Sequence, residues 1–526
     1  MSCNNLKRLQ KISGLIGFAL VVFTIISGCS FNEFDSGATL SDNSYEYSDP
    51  VVCDQFNTEE YASLDENPFL PVTSNPLSTF SIDVDAASYS NCRRFITNGS
   101  LPPAGAVRIE EFVNYFKYEY PQPGGDDPIG AHIEIAECPW NTAHTLAKIG
   151  IKARDISQEN LPPANLTFLI DVSGSMAADN KLPLLKAAFR YLLEKLREED
   201  RVAIVVYAGA AGVVLPPTSG ENKSQITGAL EKLEAGGSTA GGAGINAAYA
   251  VAETMYSENA TNRVILATDG DFNVGESSDA GLVNLIKQKR DDGIFLTVLG
   301  FGMGNYKDSK MEALADNGNG NYAYIDGASE AKRVFLNEFG GTIFTVAKDV
   351  KIQVEFNPAS VKAYRLIGYE NRLLHNEEFN NDSADAGEVG AGQTVTAFYE
   401  LITASSQEII PGTDPLRYQT QPQIPDSSQT DEFLYVKMRY KDPNGSISKL
   451  ITQPAGNECF TASPSSDFLF AAAVAEFGLL VRPSTYKGAA SFNHAASAGE
   501  KNTGSDPDGF KSEFVKLVRR ASELTE

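Results

Sequence analysis

Histidine is scarce in this chain: 526 residues carry four, His132, His144, His375 and His494. No His-Glu-x-x-His string occurs, which removes the commonest zinc-hydrolase signature. None of the six cysteines has a partner two residues away, so a zinc ribbon or a dithiol redox motif is excluded as well. The GxxxxGK[ST] loop that cradles nucleotide phosphates is missing. Positive charge is in short supply, with 43 Lys and Arg against 68 Asp and Glu and a formal net charge of −25. Nucleic acid and anionic lipid faces repel such a chain, whereas a basic partner or a bound cation suits it. Ile12 to Ile26 is a mostly apolar run. It falls short of the roughly 20 residues that a membrane-spanning helix needs.

What is present is ample material for packed cores: 42% apolar residues, with 29 Phe and 21 Tyr. The length predicts two or three domains. Lys7, Arg8 and Lys11 precede the apolar run, which ends in Ile26-Ser27-Gly28-Cys29. A positive start, a short apolar stretch and small residues before a cut site describe a secretory signal over residues 1–28. A Cys at that point resembles a bacterial lipobox, in which the thiol of Cys29 is lipidated and becomes the new first residue. Ser30 in the next position implies outer-membrane sorting in a Gram-negative host, on the periplasmic or the surface face. Cys53, Cys92, Cys138 and Cys459 remain, and their spacing does not choose among the three complete pairings.

Residues 29–70 are rich in Asn, Ser, Asp and Glu and read as a flexible tether. Residues 71–160 form an N-terminal region. It has an alternating strand at Leu77 to Asp85, a helix at Val107 to Phe116, and half-buried strands near 131–138 and 145–152. Asp83 and Asp85 read as polar positions on that first strand rather than as a second cation site. From Asn165 the pattern changes. Asn165 to Ile170, Arg201 to Tyr207, Asn262 to Thr268 and Ile294 to Leu299 are nearly continuous apolar runs, and helices alternate with them. That alternation predicts a mostly parallel sheet flanked by helices over residues 165–345. Alternating strands return in 346–526, followed by helices at Phe468 to Leu480 and Phe510 to Leu524. The fold class expected is therefore α/β. A Rossmann-like domain is inserted in a β-sandwich-like domain, with helices at the C-terminus.

The first parallel strand runs into Asp171-Val172-Ser173-Gly174-Ser175. Ligands of open α/β sheets gather at the carboxyl ends of the strands. The loop Gly236 to Gly242 offers Thr239, and the third strand ends in Thr268-Asp269-Gly270. Three loops thus bring hydroxyls and carboxylates to one edge, a hard-oxygen set suited to Mg²⁺, Mn²⁺ or Ca²⁺. Ser173 has no local His, and Val172-Ser173-Gly174 is no nucleophile elbow, so the reading is not that of an enzyme. Asp269-Gly270-Asp271-Phe272-Asn273 fails as an EF-hand, because Val274 and Ala280 stand where Gly and Glu are needed.

Asp-x-Ser-x-Ser, a Thr in a Gly-Ser-Thr loop and Thr-Asp-Gly after a strand resemble the metal-ion-dependent adhesion site (MIDAS) of von Willebrand factor A domains. The resemblance implies that Asp171, Ser173, Ser175, Thr239 and Asp269 hold the ion and that an acidic group of a protein partner completes its shell. Phe80 to Asp85, Leu101-Pro102-Pro103, Val107 to Glu111, Leu266 to Gly275 and Ala475 to Arg482 are similar to bacterial YfbK-type lipoproteins of that group. The function expected is membrane-anchored, metal-dependent capture of a protein partner. The alternative is an envelope-structural or assembly factor in which the metal only braces the loop.

Overall fold

The computed structural model describes residues 58–237, 241–270, 272, 279–304, 306–410 and 431–525. Cys29, Cys53, Thr239 and the whole signal segment lie outside the described residues. The chain begins with a short pairing strand, Leu70–Pro71 (β1), then Leu77–Ser81 (β2), and helices Ala87–Thr97 (α1) and Ile109–Asn114 (α2). A long hairpin follows, Ile129–Cys138 (β3) and Asn141–Ala153 (β4). Residues 58–70, read as tether from their polar composition, are instead held in the fold. Asn67 is buried and donates to the carbonyls of Leu366 and Gly368, and the Thr58 and Glu60 amides donate to those of Gly304 and Tyr306. Their polar groups find partners in the fold, so composition misleads here.

The central module starts at Ala164–Asp171 (β5), in which all eight residues are buried. Leu182–Lys195 (α3), Arg201–Tyr207 (β6), Ala211–Ser219 (β7), Lys223–Glu231 (α4), Gly241–Met255 (α5) and Thr261–Thr268 (β8) come next. Asp279–Asp291 (α6), Phe295–Phe301 (β9), Asp308–Asn317 (α7), Tyr322–Ile325 (β10), Ala328–Lys332 (α8) and Phe339–Ile343 (α9) complete it. The sheet order is β10-β9-β8-β5-β6-β7, parallel except for the edge strand β7. Strand geometry sends alternate side chains to opposite faces. Phe168 and Ile170 therefore pack with Leu185 and Phe189 of α3 on one face. Leu169 packs with Ile245 and Tyr249 of α5 on the other. Both faces need cover, and this is why the runs read as continuously apolar.

The chain returns to antiparallel strands: Thr345–Phe356 (β11), Val361–Ile367 (β12), Gly387–Gly390 (β13), Thr394–Thr403 (β14), Glu432–Lys441 (β15) and Lys449–Gly456 (β16). One sheet has the order β1-β12-β14-β4-β3 and the other β13-β11-β15-β16, with β2 also paired to β11. Their inner faces share a core that includes Ile149, Ile151, Ile352, Val436 and Met438, so the layer is sandwich-like and split in sequence by the central module. Helices Ser466–Val481 (α10), Phe492–Lys501 (α11) and Phe510–Glu523 (α12) close the chain and share a core with α1 and α2 through Phe112, Phe116, Phe477 and Phe514. No helix among the described residues is long and apolar enough to cross a membrane. Cys92, Cys138 and Cys459 are free thiols.

Buried ion pairs join the layers. Arg93 of α1 reaches Asp326 at 2.6 Å and Glu330 at 2.8 Å, just before and within α8. Arg108 pairs with Glu111 and, at 2.5 Å, with Asp308 at the start of α7. Asp83 and Asp85 lie just past β2 and are buried rather than displayed on a strand. The Arg372 guanidinium sits 3.3 and 3.4 Å from them and 2.7 Å from Asp316, so a resident side chain already supplies the positive charge there.

Candidate metal centre

Asp171 is the last residue of β5, in register with Tyr207 at the end of β6, and Thr268 ends β8 on the other side. Parallel strands deliver all three to the same edge of the sheet. The Ser173 amide donates to Asp171 Oδ1 at 2.8 Å, turning the chain sharply so that its side chain stays at that edge. Tyr207 Oη donates to Asp171 Oδ2 at 3.1 Å, and Thr268 Oγ1 lies 3.4 Å from the same oxygen. The hydroxyls of Ser173 and Ser175 are 3.0 Å apart. Asp171, Ser173 and Asp269 are buried and Ser175 is exposed, so the group opens to solvent on the Ser175 side.

The loop leading to Thr239 is stapled to this turn. The Gly236 amide donates to the Val172 carbonyl at 2.7 Å, and the Gly174 amide donates to the Gly237 carbonyl at 3.1 Å. Gly237 has φ +84°, a conformation that glycine adopts without a Cβ penalty. Thr239 itself lies outside the described residues. On the third loop Gly270 has φ +99°, and a Cβ there would sit 2.8 Å from the Lys307 amide nitrogen and from Tyr306 Cα. Only glycine lets the backbone at 270 come this close to Tyr306 and Lys307.

Burial pushes the Asp171 carboxyl above its ordinary value, and the charge of Asp269 adds to the rise against the hydrogen bonds from Ser173 and Tyr207. Two carboxylates at neighbouring strand ends and the Ser173 and Ser175 hydroxyls are oxygen groups of the kind that a hard divalent cation could take. Among the described residues no three His, Cys, Asp or Glu side chains are grouped to hold an ion. The donors here differ in kind, because only two are carboxylates and the others are hydroxyls. Lys181, which sequence reading passed over, donates its ammonium to Asp269 Oδ2 at 2.8 Å. Tyr207 and Thr268 were legible as the last residues of apolar runs. Lys181 was not, since nothing local links it to a residue 88 positions away.

The von Willebrand factor type A domain family matches residues 165–337. The family described as "von Willebrand factor" matches residues 55–148, and "Uncharacterized protein YfbK, C-terminal" matches residues 341–524. The chain is similar to "Uncharacterized protein YfbK" of Escherichia coli, with 43% identity over 476 residues, covering 89% of this chain and 82% of that one. It is also similar to the protein sll0103 of Synechocystis, with 27% identity over 198 residues, 38% of this chain and 46% of that one. A von Willebrand factor type A structure from Catenulispora acidiphila superposes with a TM-score of 0.42 at 16% identity, covering 74% of this chain and 89% of that one.

Proposed function

Because the chain belongs to the YfbK family of von Willebrand factor type A proteins, we propose that it captures a protein partner through a divalent cation held at the edge of the central sheet. It acts as a binding module and not as an enzyme. The observation that carries this reading is the meeting of Asp171, Ser173, Ser175 and Asp269 at one strand-end edge that opens to solvent. These residues and Thr239 would hold Mg²⁺, or Mn²⁺ or Ca²⁺ in its place. The ion supplies a Lewis-acid vacancy that a carboxylate of the partner fills. In this reading residues 1–28 are a signal peptide and Cys29 carries the lipid. A tether that ends before residue 58 then holds the N-terminal region to residue 160, the central module at 165–345 and the C-terminal region at 346–526 at the cell envelope, on the outer membrane.

The protein's own groups account for the rest of the chemistry. Tyr207 and the Ser173 amide hold the Asp171 carboxylate in place, so its orientation does not depend on the ion. The Ser173 and Ser175 hydroxyls are neutral donors, which leaves attraction for an incoming anion. The test is cross-linking of the intact chain in cells with mass spectrometry, with and without chelator and against Asp171→Ala. The expected result is a partner lost on both treatments. A partner retained by a folded Asp171→Ala chain would assign binding to the flanking layers and leave any cation a bracing role.

A further inference from the structure

Lys181 occupies a position that the metal reading does not require and that the fold goes to some length to preserve. It stands immediately before α3, ten residues beyond Asp171. Its side chain is only 9% exposed, and its ammonium lies 2.8 Å from Asp269 Oδ2. The stem reaches that point by crossing Gly302, which has φ +77° and no side chain. A Cβ at 302 would come within 2.1 Å of Lys181 Cε and 2.8 Å of Cδ and Cγ. Gly302 is held in turn by its carbonyl, which accepts the Tyr324 hydroxyl at 2.5 Å. A buried lysine stem with a channel cleared for it has a defined ammonium position, unlike a surface lysine that samples many rotamers.

On the reading that a divalent cation binds between Asp171 and Asp269, we infer that Lys181 is a built-in counter-ion that makes the loaded centre demand an anionic ligand. Two carboxylates alone would neutralise a divalent ion, and a partner's acid would then add a surplus negative charge. With the Lys181 ammonium on Asp269, the three described groups Asp171, Asp269 and Lys181 carry one net negative charge, and one net positive charge once the ion is added. One carboxylate from the partner restores neutrality. Lys181 also engages one of the two Asp269 oxygens, which lowers the charge that this residue offers the ion. The same ammonium therefore weakens uptake of the bare cation and strengthens the hold of the loaded centre on the acid. The partner chemistry that follows is a single carboxylate side chain, Asp or Glu.

The test measures Mn²⁺ binding by calorimetry on the full chain, comparing wild type, Lys181→Met and Lys181→Arg, with thermal melts to establish folding. Methionine keeps a stem of similar length over Gly302 and removes the charge. Mn²⁺ should bind Lys181→Met at least about tenfold more tightly than wild type, since a like charge near the ion is gone. Lys181→Arg should stay near wild type. Water-proton relaxation of the Mn²⁺-loaded proteins should show acetate, as the carboxylate probe, binding more weakly to Lys181→Met than to wild type. Equal Mn²⁺ affinity in a folded Lys181→Met overturns the inference alone. Failure of wild type and both variants to take up the ion overturns the metal reading and the inference with it.

Discussion

Arg108→Met tests the buried charge network that fastens α2 to the central module. Arg108 is 2% exposed at the side chain, and its partners Glu111 and Asp308 are 0% and 1% exposed. Methionine replaces most of the stem but leaves two carboxylates in the interior without their cation. Each keeps some support: Glu111 accepts from the Ser88 amide at 2.8 Å, and Asp308 accepts from Tyr322 Oη at 2.8 Å. Removing one partner of a buried pair costs about 3–5 kcal/mol, and the residual hydrogen bonds place this site in the lower part of that range. At about 3–4 kcal/mol and about 2–4 °C per kcal/mol, that is a fall in Tm of about 6–16 °C. The deficit depends on pH. Burial lifts the Glu111 pKa from 4.5 to about 8, against the pull of Arg108. A carboxyl raised in the folded state costs stability as the pH climbs through that interval, because the unfolded chain has already released the proton. Without Arg108 the folded value rises further, so the loss continues above pH 8 and the gap to wild type widens. Thermal melts at about pH 7 and pH 9.5 measure this. Adding Asp308→Asn should recover part of the loss by removing the stranded charge. A Tm for Arg108→Met within about 2 °C of wild type at both values would refute the reasoning.

Two further outcomes are expected of the same framework. Gly300→Ala places a Cβ 1.9 Å from Tyr306 Oη, so the ring must shift, and the same ring packs against Gly270 beside the candidate metal centre. We expect about 1–3 kcal/mol of destabilisation in chemical denaturation and weaker Mn²⁺ uptake, and normal values for both would count against the packing described. His144 lies between Glu400 at 2.6 Å and Glu408 at 2.8 Å. Burial lowers its pKa, but the two carboxylates outweigh burial and the value is raised above 6.5. Its stabilising contribution is thus complete below about pH 6.5 and is lost as the pH rises through the folded value. His144→Gln should flatten the stability-pH slope above about pH 6.5, and an unchanged slope would remove His144 as its cause.

The central module was legible because its strands are covered on both faces, which leaves an uninterrupted apolar signature in Leu166 to Ile170 and Val202 to Val206. Asp171, Tyr207 and Thr268 were legible as positions for the same reason, since each is the last residue of its strand and can be counted from the end of an apolar run. Other parts were not. Helix α1 escaped notice because it is buried on more than one side, so Ser88, Ser90, Asn91 and Arg93 are buried along with Tyr89, Cys92 and Ile96 and blur the apolar stripe. Their partners lie far away in sequence, as when Ser90 Oγ donates to the Tyr324 carbonyl. Helix α11 gives little apolar signal because its buried residues Ala495, Ala496 and Gly499 are small, and its N-terminus is set by one hydroxyl, Ser491 accepting from the His494 amide. Edge strand β7 carries Pro216 and Pro217 and is largely exposed, so it lacked the apolar run of its neighbours.

The split sandwich also governs the order in which the chain completes itself during synthesis. β4 takes β14 as its neighbour, with Lys152 opposite Thr394, so about 240 residues separate the two sides of one ladder. At ordinary translation rates the β3–β4 hairpin waits on the order of tens of seconds for that neighbour. Its inner residues Ile149 and Ile151 stay uncovered meanwhile. The central module has all its strands in hand by Ile325 and can close first, whereas a nascent chain halted near residue 390 would carry a finished core between two unsealed edges.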